Sequence, residues 1–405
     1  MSVNRLLQID SCLGTGSTGR ITESIALLAQ SQGWECYIVH GARYVKRPSC
    51  MMDFQSVSVA GEYMHYLEGL LFDNQGLSSR KATQRVVEFI KQIKPTIVHL
   101  HCIHGYYLNY QILFEYLNST NIPVIWTFHD CWAFTGHCAH FIIEGCDKWL
   151  TGCYACPLKG DYPKSFVDCS KRNFELKKNL FTNNKNLHIV PVSDWLAELT
   201  SQSFFRSNKI QVIKNGVNLQ IFKPVISAIN SKVRVLGVSN IWSQGKGLYD
   251  FYRLRELLNS DVFEIVIVGL NKRQIKNLPQ GIIGIERTDS IEELVRLYSS
   301  ADVFVNPTYA DTFPTVNIEA LACGTPVLTY KTGGSPEIIS KETGWVVEQG
   351  EVEKLAEVIK KIPLLDKTKL QLQRSACRTR AVLEFNQQNK YQEYLDLYYE
   401  IIDNK

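Results

Sequence analysis

The residues best placed to do chemistry lie between Asn306 and Glu337, where Asp311 precedes Glu319 by eight positions. Pro314 suits the first position of a helix and Gly324 the position just past its end, so punctuation alone predicts a short helix from about Pro314 to Cys323. The free N–H groups at the start of such a helix form an anion site suited to a diphosphate. Glu319 falls in the helix body, where its two oxygens can hold a vicinal diol such as that of ribose. Asp311, on the loop before it, can accept from sugar hydroxyls. Each acid taken alone reads as an ordinary loop or surface carboxylate.

Lys246, between Gly245 and Gly247 after the apolar run VRVLGVSN, offers an ammonium to a phosphate or simply marks a turn. The segment Gly14-Thr15-Gly16-Ser17-Thr18-Gly19-Arg20 follows the first apolar run and lets backbone approach a ligand, though a tight turn has the same composition. His129 closes VIWTFHD, and His99, His101 and His104 close the run before it. The alternation of His99 and His101 puts them on one face, which suits lining or packing better than a metal. Cys138, Cys146, Cys153 and Cys156 place four thiols in 19 residues, with seven, six and two residues between them. That spacing suits a tetrahedral structural zinc; free thiols and disulfides stay open, disulfides last if the compartment is reducing.

Elements able to position these groups recur along the chain. The runs LLQID, CYIVH, TIVHLH, VIWTFHD and LHIVPVS alternate with helical patterns in the first half, and IQVIKNG, VRVLGVS, FEIVIVG, DVFVNP and PVLTY do so in the second. Continuous apolar strands separated by helices predict parallel sheets covered on both faces, here two doubly wound α/β domains. The least periodic stretch, Thr200 to Lys209, suggests a first domain over 1–205 and a second over 206–385. An amphipathic helix over 386–405, apolar at Tyr391, Tyr394, Leu395, Tyr398 and Ile401, is expected to return to the first domain. Two such domains facing each other would bind ligands beyond the carboxyl ends of their strands, in the cleft between.

Bulk properties narrow the classes. A length of 405 residues suits two domains, and 45% hydrophobic with 21% charged residues is a globular balance. A net charge of +4, with 18 basic against 17 acidic residues up to position 205, argues against nucleic acid as a partner. The densest basic run, Lys164 to Lys185, carries Lys164, Lys171, Arg172, Lys177, Lys178 and Lys185 among Phe166, Phe174 and Phe181. It reads as a solvated helix face or as peripheral contact with an anionic membrane. The start, MSVNRLLQIDS, lacks a signal-peptide pattern and no run nears the roughly 18 apolar residues of a span, so a cytoplasmic, reducing location is expected.

The segment NPTYADTFPTVNIEALACGTPVLTYKTGGSPE closely resembles the donor-binding signature of glycosyltransferase family 4, retaining enzymes of the GT-B fold. Gly245-Lys246-Gly247-Leu248, KNGVNLQIFKP and the Thr-x-His-Asp of VIWTFHD resemble further elements of that family. The resemblance implies a nucleoside-diphosphate sugar as donor and a glycan or lipid-linked acceptor, with no cofactor needed for the transfer. Glu319 would hold the nucleotide ribose and Lys246 the diphosphate. The backbone of Phe313, Thr315 and Val316 would face the sugar and phosphates, and His129 would reach the donor sugar. Gly16 and Arg20 would lie beside the donor phosphates and the acceptor. Asp311 stands where a glutamate is usual, one methylene shorter, which bears on the choice of sugar. The arginine that usually accompanies the lysine has no counterpart, Ser239 and Asn240 standing near its place. Family members from bacterial surface-polysaccharide synthesis look similar in the cysteine-rich loop. An epimerase or hydrolase of the same fold, and a non-catalytic nucleotide-sugar-binding module, remain as alternatives.

Overall fold

The computed structural model describes residues 3–45, 49, 51–226 and 231–404. The chain divides into two compact units, Met1–Ile213 with Tyr391–Lys405, and Lys214–Lys390.

In the first unit the apolar runs become strands β1 (Arg5–Ile9), β2 (Glu35–His40), β3 (Met52–Gln55), β4 (Ile97–Leu100), β5 (Val124–Phe128), β6 (Leu187–Pro191) and β7 (Lys209–Ile210). They pair in the order β3-β2-β1-β4-β5-β6-β7, every pair parallel. Every residue of β4 and β5 is buried, as a sheet covered by helices on both faces requires. The order reverses between β1 and β4, so segments leaving β1, β4 and β5 converge at the point where doubly wound sheets bind ligands.

One face of this sheet is closed by the helix Gly16–Ser31 and the final helix Gln387–Asp403. Ile21, Ile25, Tyr394, Leu395 and Tyr398 pack over Leu6, Ile38, Ile97 and Ile125. Each such burial contributes about 1.5–3 kcal/mol, so the last helix is part of the first unit's core.

The second unit holds β8 (Val233–Val238), β9 (Phe263–Val268), β10 (Ile282–Ile285), β11 (Val303–Asn306), β12 (Val327–Tyr330) and β13 (Gly344–Val347). The order is β10-β9-β8-β11-β12-β13, again wholly parallel, with the reversal between β8 and β11. Phe251 and Leu254 of the helix Leu248–Leu257, with Leu355 and Ile359 of Val352–Lys361, close one face over β8, β9 and β11.

Three strands, β3, β10 and β13, lie outside the apolar runs of the sequence, and only Lys209–Ile210 at the edge of IQVIKNG is strand. The basic run from Lys164 forms a helix only over Ser170–Thr182, and its Lys177 is 2% exposed, so it lies off the solvated face. Among the described residues no helix is long and apolar enough to cross a membrane.

Candidate active site

The segment after β11 forms a loop and then a helix, Thr315–Ala322, with Pro314 as its N-cap and Gly324 past its end at φ 78°. A left-handed φ costs glycine nothing, which is why the helix stops there. Pro314 supplies no capping side chain, leaving the N–H groups of Thr315 and Val316 without a side-chain cap. The carbonyl of Phe313 accepts from Asn215 Nδ2 at 3.4 Å, and Gly334 N–H ties the loop at the Thr312 carbonyl, 3.1 Å away.

Lys246 ends a 3-10 turn, Gln244–Lys246, just after β8, and the reversal of strand order sets that turn beside the β11 loop. Its Nζ lies 2.6 Å from Asp311 Oδ2 and 3.3 Å from the Ala310 carbonyl. The contact is fixed from below. Tyr309 N–H and Thr308 Oγ1 both donate to the Gly245 carbonyl, and a Cβ on Gly247 would sit 2.1 Å from the Pro307 carbonyl oxygen, so only glycine fits. Asp250, one turn on, accepts from Tyr309 and Tyr330 at 3.3 and 3.0 Å. Burial raises its carboxyl above the ordinary range. Side-chain exposures of 36% and 20% keep Lys246 and Asp311 open to solvent, where such a pair adds only about 0–1 kcal/mol to stability. The pair is therefore free to exchange partners with a ligand.

Glu319 is 7% exposed and accepts from Tyr298 Oη at 3.0 Å, which fixes one of its oxygens. Asn317, on the same helix, accepts from Asn306 Nδ2 at 2.8 Å and locks the helix to the end of β11. Thus Lys246, Asp311, Phe313, Thr315, Val316 and Glu319 come together around one strand-order reversal. Thr308, Tyr309, Asp250, Tyr330 and Tyr298 support them, and the motif alone did not show these five.

In the first unit His129 ends β5 and sits on a line of hydrogen bonds. Its Nε2 is 3.1 Å from His101 Nδ1, His101 Nε2 is 3.0 Å from Gln8 Oε1, and Gln8 Nε2 donates to the Thr22 carbonyl at 2.8 Å. Because Gln8 Oε1 can only accept, His101 carries its proton on Nε2, and His129 therefore carries one on Nε2. Burial first, opposed by the neighbouring Asp130 charge, pulls His129 down to about 4, so it is neutral at pH 7. Burial likewise lowers His99 to about 3; its ring spans Tyr398 Oη at 2.6 Å and Thr127 Oγ1 at 2.8 Å. His99 and His101 thus serve packing and orientation. Beside them His104 Nε2 meets Asp130 Oδ2 at 2.9 Å, and burial, which raises Asp130, is outweighed by His104, which holds it below the ordinary range.

Of the glycine-rich loop, Gly16 already begins a helix, and exposed Arg20 turns back to donate from Nε to the Gly16 carbonyl at 2.9 Å. Cys138, Cys146, Cys153 and Cys156 line one small cavity in the irregular segment after β5. The triad of metal-ligating types that the described residues bring within 4.8 Å of one another is a different one, Cys102, His104 and Asp130.

The family model described as Glycosyltransferase Family 4 matches residues 19–221, half of the chain, and one described as Glycosyl transferases group 1 matches 232–363. WcaC of Escherichia coli K12, named for a glycosyl transferase of colanic acid biosynthesis, is 25% identical over 282 residues, covering 66% of this chain and 67% of WcaC. The N,N'-diacetylbacillosaminyl-diphospho-undecaprenol alpha-1,3-N-acetylgalactosaminyltransferase of Campylobacter jejuni is 27% identical over 232 residues, 53% of this chain and 60% of that protein. The match thus spans about two thirds or less of these relatives' own lengths. Among solved structures, sucrose-phosphate synthase of Thermosynechococcus elongatus superposes with a TM-score of 0.74 at 16% identity, over 99% of this chain and 100% of that one. Anabaena Alr3699/HepE in complex with UDP gives 0.67 at 14%, over 98% and 100%. These likenesses show the fold, GT-B.

Proposed function

The chain belongs to glycosyltransferase family 4, and from that premise we propose that it moves a sugar, with retention, from a nucleoside-diphosphate sugar to a glycan or lipid-linked acceptor in bacterial surface-polysaccharide synthesis. The observation that carries this reading is the Lys246–Asp311 contact at the β8/β11 reversal, beside the uncapped start of the Thr315–Ala322 helix. Donor phosphates take the ammonium and the N–H groups of Thr315 and Val316; Asp311, released from Lys246, accepts from sugar hydroxyls. Glu319, with Tyr298 fixing one oxygen, holds the ribose. His129 offers a neutral imidazole to the sugar, and Gly16 and Arg20 serve the phosphate and acceptor side.

In the transfer the bond from the anomeric carbon to the diphosphate oxygen breaks, a bond to the acceptor oxygen forms on the same face, and the acceptor's proton passes to the departing diphosphate. No side-chain nucleophile is needed. Lys246 and the helix start stabilise the charge that develops on the leaving group, the part a divalent metal plays in other transferases.

The acceptor reading draws support from a relative: the Campylobacter enzyme is named for a diphospho-undecaprenol substrate. It also draws on a surface. The helix Val59–Phe72 exposes Val59, Tyr63, Met64, Leu67, Leu71 and Phe72, each at 46–58%. Phe166, 60% exposed, is held beside it by a 2.8 Å bond from its N–H to the Leu70 carbonyl. An uninterrupted apolar face of this kind suits peripheral contact with a bilayer, on the cytoplasmic side where nucleotide sugars are made.

A screen of nucleotide sugars, with product analysis, tests the proposal. Release of nucleoside diphosphate together with a glycoside of unchanged anomeric configuration is expected. An isomeric nucleotide sugar without a glycoside, or an inverted product, defeats it.

A further inference from the structure

The cavity lined by Cys138, Cys146, Cys153 and Cys156 has a volume of about 20 Å³, room for a single ion. Its walls also include Phe141, Trp149 and Leu158, together with Thr135, His137 and Lys148. Three features bear on what belongs there. Two sulfurs already accept backbone N–H groups, Cys153 Sγ from Gly136 at 3.1 Å and Cys156 Sγ from Leu158. Cys138 and Cys156 are in side-chain contact. His137, 3% exposed and lining the same cavity, is held through Nδ1 by Asp73 Oδ1 at 2.7 Å, while its buried Nε2 has no hydrogen-bond partner among the described residues.

We propose that Cys138, Cys146, Cys153 and Cys156 hold a structural zinc ion, with His137, anchored through Nδ1 by Asp73, in the wall beside the bound thiolates. Binding releases one proton from each thiol to solvent and draws the sulfurs together, since among the described residues no three of these four sulfurs lie within 4.8 Å of one another. The zinc pins the irregular segment between β5 and the helix Ser170–Thr182, which otherwise has only short 3-10 turns, Trp132–Phe134 and Lys148–Leu150, to order it. The tighter triad at Cys102, His104 and Asp130 is a poorer ligand set. His104 and Asp130 bond to each other, His104 Nδ1 meets Tyr162 Oη at 3.1 Å and Asp130 Oδ1 takes the Trp132 N–H at 2.8 Å, so those donors are already in use.

The test uses the full chain, purified reduced and without metal-affinity steps. Elemental analysis and native mass spectrometry should find one zinc per chain, released on titrating the thiols with a mercurial. Replacing zinc by cobalt(II) should give tetrahedral ligand-field bands and sulfur-to-cobalt charge transfer with the intensity of four thiolates. The double substitution Cys153→Ser, Cys156→Ser should abolish metal uptake; should it fail to fold, the cobalt spectrum of the native sequence still decides. A metal-free native mass that takes up neither zinc nor cobalt overturns the proposal. A spectrum of three thiolates and one nitrogen overturns the ligand set, putting His137 on the metal.

Discussion

The two units carry the same kind of parallel sheet and the same reversal of strand order, yet what they place at the strand ends differs in electrostatic character. The second unit presents an ion pair, Lys246 with Asp311, 36% and 20% exposed. The first presents a line of histidines, His99 and His101 buried and His129 bonded to His101, beside the His104–Asp130 pair. An exposed ion pair can trade its partner for a phosphate at little cost, whereas a buried neutral network cannot rearrange without leaving polar groups unsatisfied. The second unit is thus built to be displaced by a ligand and the first to hold an orientation.

The largest expected effect separates the units by pH. All nine histidines precede residue 214, so the second unit has none. Burial lowers His65 to about 4, His99 to about 3 and His129 to about 4, from an ordinary 6.5. Between pH 6.5 and about 4 the unfolded chain therefore binds protons that the folded first unit refuses, and stability falls as pH falls. Each histidine contributes on the order of 1 kcal/mol per pH unit, several kcal/mol in all by pH 4.5. Asp10, raised by burial to about 6, works in the opposite direction but is one group against three. In the second unit burial raises Asp250 and Asp302, which favours the folded form as acid is added. Hydrogen exchange between pH 7 and 4.5 should show the first unit opening and the second protected; simultaneous opening removes the contrast.

Next in size is Lys246→Ala. If the ammonium stabilises the leaving diphosphate, turnover should drop by about 10²–10³, while thermal stability changes by about 1 kcal/mol or less. Unchanged turnover with lower stability would make the contact structural. Glu319→Ala should weaken donor binding by about 2–3 kcal/mol, measured calorimetrically, and Tyr298→Phe by about 1 kcal/mol, since it loses only a supporting bond. Full affinity in Glu319→Ala refutes the ribose assignment.

The same contrast explains what the sequence shows and hides. One segment of the second unit's candidate site is contiguous: loop, proline, helix and glycine follow one another from Asn306 to Gly324, so its helix is readable within a residue at each end, whereas Lys246 comes from 65 positions away. The network around His129 is assembled from Gln8, Thr22 and His101, and its neighbour His99 bonds Tyr398 from 299 positions away. No local pattern encodes that meeting. β13 was missed because GWVV is too short to stand out, and β3 because MDFQ lacks an apolar run. Lys177 was misplaced for a related reason: helical periodicity marks Lys177 and Lys178 alike as surface, and only the Trp132 and Thr135 carbonyls show that one points inward.

The smallest effect concerns the exposed helix Val59–Phe72, whose apolar periodicity reads in sequence like that of a buried helix. Two forces could hold this surface to a bilayer. Apolar insertion contributes about 1–2 kcal/mol per side chain, and exposed Lys164, Lys171, Arg172 and Lys178 add about 1 kcal/mol each near anionic lipid, an attraction that salt screens. Substituting Met64→Glu and Leu67→Glu together should lower binding to phosphatidylglycerol vesicles by about tenfold or more in a flotation assay and leave turnover on a water-soluble acceptor unchanged. Both side chains are about half exposed, so a fall in soluble turnover would point to misfolding. If binding instead vanishes at high salt and survives the two substitutions, the basic residues hold the surface and the apolar face has another use.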